Sequence, residues 1–478
     1  MASLSHEQIN VIAQKIVKVL NNKSFESASY NTGSLKTGLG VFENIDDAVR
    51  ATKVAQKKLM GLTLECRNRI IAAIRKSMLE HAEDLAKRAH DETGLGRYKD
   101  KIKKNQLVAT KTPGTEDLVP KVITGDRGLT LMEQAPYGVI GAITPVTNPT
   151  STIICNSIGM IAACNGVVFN VHPSAKNVSI YNIQLLNKVI SKAGGPINLV
   201  STLANPTIET AQQMMQHPDV LLLVVTGGAG VVKAAMTSGK RAICAGPGNP
   251  PVVVDETADI EQAAKNIVMG ASLDNNIICV DEKEIFVVDS VAGQLVQALE
   301  KHNAVILNNK QINQLSKVIF LKNNGLGKAA YMEKSLIGKD IQVILSKIGM
   351  SVSDNKRIAI APVEKYHPLV WSEQMMPIIP LVKVPNVKTG ISLAKEAEHG
   401  FGHSAVMYSK NLDNLSLMAK EMNCSIFVKN GPSCSGLGFG GEGYTSFSIA
   451  SPTGEGLTGP HSFTRERRCV LVDHFRIV

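Results

Sequence analysis

The chain has 478 residues, of which 44% are hydrophobic and 19% charged, a composition typical of a soluble globular protein with two or three domains. Its net charge of +10 comes from dispersed residues, and aromatic residues make up only 4%, which favours a solvated basic surface over a nucleic-acid-binding face. The sequence has no apolar run of the ~18 residues that a membrane span needs, no secretory signal and no CxxC pair, so we expect a cytoplasmic protein with reduced thiols and no bound metal.

The first predicted element is a short amphipathic helix within residues 1–20. Ser5 and Gln8 have capping-box spacing, and the apolar face then recurs at Ile9, Ile12, Ala13, Ile16 and Leu20. The polar segment 21–34 that follows has the composition of a linker. Such a helix either folds back on its own domain or docks into a groove of a partner, and the pattern leaves both open.

Two helices are predicted next, at 46–60 and 67–91, followed by short β runs that alternate with helices. The strand-like runs are 137–146, 166–171, 197–203 and 220–228, and the helix-like segments are 150–164, 175–193, 207–216 and 230–238. This alternation predicts a parallel, doubly wound α/β sheet, which is a common scaffold for nucleotides.

A second β/α series extends from "PVVVD" (251–255) to about residue 430. Two further runs, "LTLMEQAP" (129–136) and "RRCVLVD" (467–473), predict a small separate sheet. Two isolated strands make a poor monomer surface, so this sheet indicates pairing between subunits.

The glycine-rich segments include two chance matches to the dinucleotide-binding motif and one candidate phosphate site. Segments 436–441 and 454–459 match GxGxxG literally but lack a strand before and a helix after, so both are interpreted as loops. Thr226, Gly227 and Gly228 instead lie between a strong strand and a helix, where a phosphate can meet the helix N-terminus. "NVHPSAK" (170–176) ends a neighbouring strand in the same way.

Cys279, in the stretch "ASLDNNIICVDEKE" (271–284), is the residue whose role matters most. A free cysteine is usually a small buried apolar side chain, and composition alone favours that interpretation over a reactive thiol.

Seven motifs taken in order resemble the aldehyde dehydrogenase superfamily. They are "ITPVTNP" (143–149), "HPSAK" (172–176), "TGG" (226–228), "AGPGNPP" (245–251), "NNIIC" (275–279), "EQMMP" (373–377) and "GFGHSA" (400–405). Together with the ending "RRCVLVDHFRIV", they are most similar to the CoA-acylating aldehyde dehydrogenases of bacterial microcompartments, of the ethanolamine- and propanediol-utilisation types.

The resemblance implies two doubly wound α/β domains and a small β oligomerisation extension. It places an amphipathic targeting helix at 1–20, a linker at 21–34, an NAD-binding domain at 35–116 and 137–244, the β extension at 117–136 and 455–478, and a catalytic domain at 245–454.

The same resemblance implies roles for individual residues. Cys279 would be the nucleophile and Asn148 the side chain that donates to the developing oxyanion, although without the motif order an Asn-Pro turn is the favoured interpretation of Asn148. The residues implied in binding the nicotinamide cofactor are Thr144, Pro145, His172, Ser174, Thr226, Gly227, Gly228 and Glu373. His403 is either a proton shuttle or a structural histidine, and the sequence leaves both open.

Two departures from the superfamily pattern are informative. Ala245, 34 positions before Cys279, stands where hydrolytic members carry a glutamate that activates water. A side chain without a proton acceptor leaves the thioacyl-enzyme to wait for another thiol, which coenzyme A supplies. His172 replaces a lysine that commonly meets the adenosine ribose, so NAD or NADP preference stays open.

The sequence therefore predicts oxidation of a short-chain aldehyde to its acyl-CoA, with NAD and coenzyme A. Propanal, acetaldehyde and lactaldehyde are the candidate substrates; a hydrolytic dehydrogenase or a catalytically silent scaffold are the alternatives. The predicted partners are microcompartment shell or cargo proteins, through residues 1–20, and further copies of the chain in a dimer or tetramer. The predicted location is the inside of a bacterial microcompartment.

Overall fold

The structure is a computed structural model, and it describes residues 38–478. The predicted helix at 1–20 and linker at 21–34 lie outside the described residues. In the part that is described, no helix combines the length and apolar character needed to cross a membrane.

The described chain alternates strands and helices. The strands are β1 (Val41–Phe42), β2 (Lys121–Gly125), β3 (Gly128–Pro136), β4 (Val139–Ile143), β5 (Gly166–Asn170), β6 (Val200–Leu203), β7 (Val220–Thr226), β8 (Ala242–Ala245), β9 (Pro251–Val254), β10 (Glu284–Val288), β11 (Ala304–Ile306), β12 (Phe320–Lys322), β13 (Tyr331–Met332), β14 (Ile358–Pro362), β15 (Ile378–Val384), β16 (Ser404–Tyr408), β17 (Ile426–Lys429), β18 (Ile449–Ala450), β19 (Gly456–Leu457) and β20 (Thr464–Val472). The α-helices are α1 (Ile45–Met60), α2 (Leu64–Glu80), α3 (Ala82–Thr93), α4 (Tyr98–Lys111), α5 (Pro149–Ala162), α6 (Lys176–Lys192), α7 (Ile208–Gln216), α8 (Ala229–Met236), α9 (Ile260–Ala271), α10 (Asp289–Lys301), α11 (Asn309–Ile319), α12 (Ile341–Ser346), α13 (Val387–Ala397) and α14 (Leu412–Met422).

The helix predicted at 67–91 is wrong in one respect, because two helices occupy that span. The break falls at His81, whose φ of −100° and ψ of 8° close α2 and open α3. The His81 ring nitrogen Nδ1 lies 2.9 Å from the carbonyl oxygen of Ser77 and satisfies the end of α2. A one-residue break keeps the apolar side chains on the same face, so periodicity does not reveal it.

The first sheet has six parallel strands in the order β1-β6-β5-β4-β7-β8. The β4 and β5 strands are buried along their whole length, which is why they read as continuous apolar runs rather than alternating ones. Right-handed crossovers through helices are the usual way to join such strands, and α5 to α8 fill the predicted helical positions. The α/β class predicted from the alternation is confirmed.

The second sheet has seven parallel strands in the order β11-β14-β15-β10-β9-β16-β17. The chain passes from the first sheet to the second between β8 and β9, through residues 246–250. One apolar cluster packs α2, α5 and the first sheet together and also takes in Ile278 and Val280, the neighbours of Cys279. The segment that carries Cys279 is therefore anchored in the core of the first sheet.

A third sheet is antiparallel and has three strands, β2-β3-β20. The predicted pairing of the two β segments is confirmed, with Thr464 opposite Pro136 and Val472 opposite Gly128. The sequence missed β2, which pairs with β3 from Lys121 to Gly125. Most residues of β2 and β20 are exposed on both faces.

The two segments that match GxGxxG literally, 436–441 and 454–459, are loops, as predicted. The first begins in a 3-10 turn at Ser433–Leu437, and the second contains only the two-residue strand β19. Neither connects a strand to an α-helix, so neither has the geometry of a dinucleotide fingerprint.

Candidate active site

Cys279 lies on the connection between α9 and β10, after an unusual turn. The 3-10 turn Leu273–Asn276 contains three consecutive residues with positive φ: 45° at Asp274, 58° at Asn275 and 66° at Asn276. Asn and Asp tolerate this left-handed region better than other residues with a β-carbon, which explains the "DNN" of the sequence. Left-handed residues in succession persist only where surrounding contacts impose them.

Buried charges impose the conformation of that turn. The Asp274 carboxylate accepts hydrogen bonds from the Arg97 backbone N–H at 2.5 Å and from Lys101 Nζ at 3.0 Å, and it also pairs with Lys104. Burial by itself raises the pKa of Asp274, but the ammonium groups of Lys101 and Lys104 outweigh that effect and lower it. The aspartate is therefore held ionised between two lysines of α4.

A second set of buried charges follows Cys279. From the sequence, this stretch is expected to be an acidic turn. The structure instead buries all four of its charged side chains completely: Asp281, Glu282, Lys283 and Glu284. Lys283 Nζ donates to the Asn276 carbonyl at 2.8 Å and to Asn276 Oδ1 at 2.6 Å. The backbone N–H of Ile278 donates to Asp281 Oδ2 at 3.0 Å. These side chains tie the residues on both sides of Cys279 together, a role that the sequence did not reveal.

Cys279 is half-buried, unlike five of the other cysteines, which are buried. Burial of the thiol raises the pKa of Cys279 to about 12, the charges of Glu373 and Asp281 add to the increase, and Lys283 opposes it. The thiol is therefore protonated at neutral pH, and it must give up its proton when a substrate is attacked.

Asn148 occupies the position immediately before α5, and Pro149 is the first residue of that helix. Its side chain does not cap the helix. The amide oxygen instead accepts a hydrogen bond from Lys104 Nζ at 2.6 Å, and the amide nitrogen donates to Thr147 Oγ1 at 3.2 Å. The turn interpretation of Asn148 thus describes its backbone, while its side chain belongs to the network around Asp274.

Glu373 and Cys279 come together around Gly248. The Gly248 N–H lies 3.5 Å from Glu373 Oε1, and a β-carbon at Gly248 would lie 2.8 Å from the Cys279 carbonyl oxygen. The same β-carbon would lie 3.0 Å from Cγ of His403. Burial raises the pKa of Glu373, although Lys283 and the Gly248 N–H partly offset the increase.

His403 is fully buried beside this group. Its Nδ1 lies 2.7 Å from Ser404 Oγ, and its Nε2 has no hydrogen-bond partner among the residues that the structure describes. Burial, with a smaller contribution from Lys283, lowers the pKa of His403 to about 4. The imidazole is therefore neutral at physiological pH.

Apart from Glu373, the predicted cofactor residues lie at the carboxyl ends of β5, β4 and β7, which are adjacent strands. Thr144 and Pro145 follow β4, and Thr226 and Gly227 end β7. The Thr144 hydroxyl is buried and has no partner within residues 38–478. Thr226 Oγ1 lies 2.8 Å from Ser448 Oγ. The carboxyl edge of a parallel α/β sheet is where such folds commonly bind nucleotides.

Gly228 sits before the N-terminus of α8, and a β-carbon there would meet nothing within 4 Å. Its φ of −67° does not require glycine, and the space above the helix end is open in the structure. His172 and Ser174 follow β5 and are exposed; the Ser174 N–H donates to His172 Nδ1 at 3.1 Å. They share the edge of the sheet but not the surroundings of Cys279.

Ala245 is the last residue of β8 and is buried. Its carbonyl oxygen accepts the Gly227 N–H at 3.1 Å, which joins the ends of β7 and β8. The connection from Ala245 to Gly248 leads from the cofactor edge directly to Cys279.

Comparisons with family models and with individual known proteins indicate the same family. The aldehyde dehydrogenase family matches residues 35–456. The chain is 48% identical to the acetaldehyde dehydrogenase (acetylating) EutE of Escherichia coli (strain K12), over 99% of this chain and 100% of that protein. The predicted resemblance is confirmed.

Solved structures agree with this result. The propionaldehyde dehydrogenase of Rhodopseudomonas palustris, solved with bound CoA and an acylated cysteine, superposes with a TM-score of 0.88 and 48% identity, covering 91% of this chain and 98% of that one. A propionaldehyde dehydrogenase from the Clostridium phytofermentans fucose utilisation bacterial microcompartment gives a TM-score of 0.89 and 46% identity, covering 92% and 100%. The predicted aldehyde dehydrogenase-like fold is confirmed.

Proposed function

This chain belongs to the aldehyde dehydrogenase family, and from that premise we propose that Cys279 is the nucleophile with which it oxidises a short-chain aldehyde. The enzyme is of the CoA-acylating class: it converts the aldehyde to its acyl-CoA with a nicotinamide cofactor. The observation that carries the role of Cys279 is its position. The charge of Glu373 acts on its thiol, and its backbone carbonyl faces Gly248, which also adjoins His403. The other half-buried cysteine, Cys424, instead uses its thiol to donate to the Ile426 carbonyl at 3.0 Å.

In the first half-reaction, the Cys279 thiol releases its proton to solvent and its sulfur bonds to the aldehyde carbon. The carbonyl oxygen becomes an alkoxide that needs hydrogen-bond donors. The Cys279 backbone N–H and the Asn148 amide nitrogen are the groups to supply them. Because the pKa of Cys279 is raised to about 12, deprotonation is coupled to attack rather than completed beforehand.

The cofactor fits the edge formed by β5, β4 and β7. The buried, unpartnered Thr144 hydroxyl and the open space at Gly228 both suit a bound nucleotide. When bound, a nicotinamide would supply the hydride acceptor, so that the carbon attached to the Cys279 sulfur could lose a hydride and become a thioester. Glu373, whose charge acts on Cys279, would hold the ribose of the cofactor.

In the second half-reaction, the thioester exchanges its thiol. The CoA sulfur bonds to the acyl carbon, the bond to Cys279 breaks, and the Cys279 sulfur regains a proton. Ala245 has no proton acceptor with which to activate water, which supports acyl transfer to CoA rather than hydrolysis.

Intact-mass measurement tests this assignment. Incubation with propanal and NAD, without CoA, is expected to add one propanoyl group to the protein, and CoA is expected to remove it. Cys279→Ala should show neither the adduct nor CoA-dependent NADH formation, and Cys424→Ala is the matched control that should retain both. An adduct that persists in Cys279→Ala would refute the assignment.

We also propose that residues 1–20 bring the enzyme into a bacterial microcompartment. The support is the amphipathic spacing from Ile9 to Leu20 and the microcompartment origin of the Clostridium phytofermentans structure. Deletion of residues 1–20 is expected to preserve activity and abolish co-sedimentation with shells. Retained co-sedimentation would exclude these residues as the signal.

Finally, we propose that the three-stranded sheet pairs with another copy of the chain, in a dimer or a tetramer. Its exposed apolar residues include Val122, Ile123, Val470 and Val472. Apolar strands exposed on both faces are costly in a monomer. Light scattering coupled to size exclusion is expected to show a smaller species for Val470→Asp than for the unaltered protein.

A further inference from the structure

We propose that Lys104 is a positioning residue for the oxidation step: its ammonium fixes the orientation of the Asn148 amide and couples it to the turn before Cys279. The inference rests on the proposed role of Asn148 as a donor to the alkoxide. It concerns a lysine of α4 that lies 175 positions before Cys279 in the sequence and that no motif marks.

Lys104 is almost completely buried, with 2% of its surface exposed. Its Nζ lies 2.6 Å from Asn148 Oδ1 and also pairs with Asp274 Oδ2. Asn148 begins the helix α5, whereas Asp274 belongs to the turn that leads to Cys279. One ammonium group therefore joins the two segments that carry the proposed nucleophile and the proposed alkoxide donor.

The bond determines which end of the Asn148 amide faces the lysine. An ammonium group only donates hydrogen bonds, so the amide oxygen must face Lys104 and the amide nitrogen must face away. That nitrogen has two hydrogens, of which one is directed to Thr147 Oγ1 at 3.2 Å. The second hydrogen is left for the reacting oxygen. A positive charge at the amide oxygen also draws electrons from the nitrogen and makes its N–H a stronger donor.

Lys101 serves as the control that distinguishes this role of Lys104 from a general requirement for buried positive charge. It lies on the same helix, has 3% of its surface exposed, and its Nζ donates to Asp274 Oδ2 at 3.0 Å. Lys101 Nζ thus contacts the aspartate, whereas Lys104 Nζ contacts both the aspartate and Asn148. A Lys101→Met variant therefore reproduces the loss of a buried charge and leaves the bond to the Asn148 amide in place.

The test compares Lys104→Met with Lys101→Met in single-turnover NADH formation from propanal without CoA. Lys104→Met is expected to slow this step about 10- to 100-fold, a fraction of the effect of losing an oxyanion donor outright, with the KM for propanal changed less than about twofold. Lys101→Met removes one of the charges that hold the turn before Cys279, and it is expected to slow the step at least about threefold less than Lys104→Met does. Equal slowing by the two variants would overturn the proposal.

A double-mutant cycle with Asn148→Ala provides the second readout. It measures the coupling between the two residues, which a merely structural role of Lys104 would not produce. Once the amide is absent, Lys104→Met is expected to slow the step less than twofold further. Fully multiplicative effects would mean that Lys104 acts independently of Asn148, and would overturn the proposal.

Circular dichroism and thermal melting identify variants that fail to fold. Lys104→Gln, which is neutral but still donates through its amide, is the second variant and is expected to retain more of the rate than Lys104→Met; a rate at or below that of Lys104→Met contradicts the proposal. A normal rate in Asn148→Ala would refute the role of Asn148 itself, whereas a slow Asn148→Ala with a normal Lys104→Met would refute only the role of Lys104.

Discussion

Gly248 lies directly against the Cys279 carbonyl: a β-carbon built on this glycine would come within 2.8 Å of that oxygen. Such a distance is too short for a carbon atom and a backbone oxygen, so the glycine allows the 246–250 segment to approach Cys279. The contact explains why a glycine-rich motif far from Cys279 in sequence belongs to the same site.

We therefore expect Gly248→Ala to displace Cys279 and to reduce CoA-dependent NADH formation at least 10-fold, since small misplacements of reacting groups are costly. Steady-state kinetics with propanal measure the loss. The control is Gly293→Ala in α10, where a β-carbon meets nothing within 4 Å. It should keep full activity and gain up to about 1 kcal/mol of stability. Normal activity in Gly248→Ala would contradict the assigned contact.

Alkylation of Cys279 should depend steeply on pH. Because burial raises the pKa of Cys279 to about 12, the thiolate fraction increases about tenfold per pH unit throughout the range from 7 to 10. The rate of iodoacetamide labelling, followed on the Cys279 peptide by mass spectrometry, is expected to rise with that slope and without a plateau. Glutathione, an ordinary thiol, is the control and should level off. A plateau below pH 9 for Cys279 would show that the thiol is ionised more easily.

A carboxylate at Ala245 should open a route to water. Ala245→Glu supplies a proton acceptor at the end of β8, and we expect it to raise steady-state NADH formation without CoA about 10-fold or more. Ala245→Gln has nearly the same shape and no base, so it should not show this gain. Release of free propanoic acid, measured by chromatography, distinguishes hydrolysis from a single turnover. Equal rates for the two variants would mean that the missing base does not control the fate of the thioester.

Buried His403 should make the protein less stable as the pH falls. The pKa of His403 is about 4 in the folded protein and about 6.5 when it is unfolded, so between these values the unfolded state binds more protons. Stability therefore decreases as the pH drops below about 6.5, by about 2 kcal/mol at pH 5 from this residue. Urea unfolding of the unaltered protein and of His403→Gln at pH 7 and pH 5 measures the difference. An equal decrease in both proteins would show that His403 is not the group responsible.

Much of the fold followed from local patterns. Local apolar runs and helical periodicity define β4, β5 and β7 and the helices between them, so the type and order of these elements were predictable. The bounds of the elements were less predictable. The break at His81 was missed because a short irregularity preserves the helical periodicity, and β2 was missed because an exposed strand has no continuous apolar run.

The candidate site divides in the same way. Motif order identified Cys279, Asn148 and Glu373 as candidates, and the structure places Cys279 beside Glu373 and links Asn148 to the Cys279 segment through Lys104 and Asp274. Lys104 and the buried run from Asp281 to Glu284 were missed, because charged residues on a helix or in a turn ordinarily face water.

The sequence by itself determined the alternation of strands and helices, the family, and the absence of a base at Ala245, since each of these depends on adjacent residues, on short motifs or on a single residue. Only the tertiary structure decided that Lys104 meets Asn148 and that Gly248 meets Cys279. Both contacts join segments far apart along the chain, and a buried charge is stable there only because the fold brings its partners within hydrogen-bonding distance.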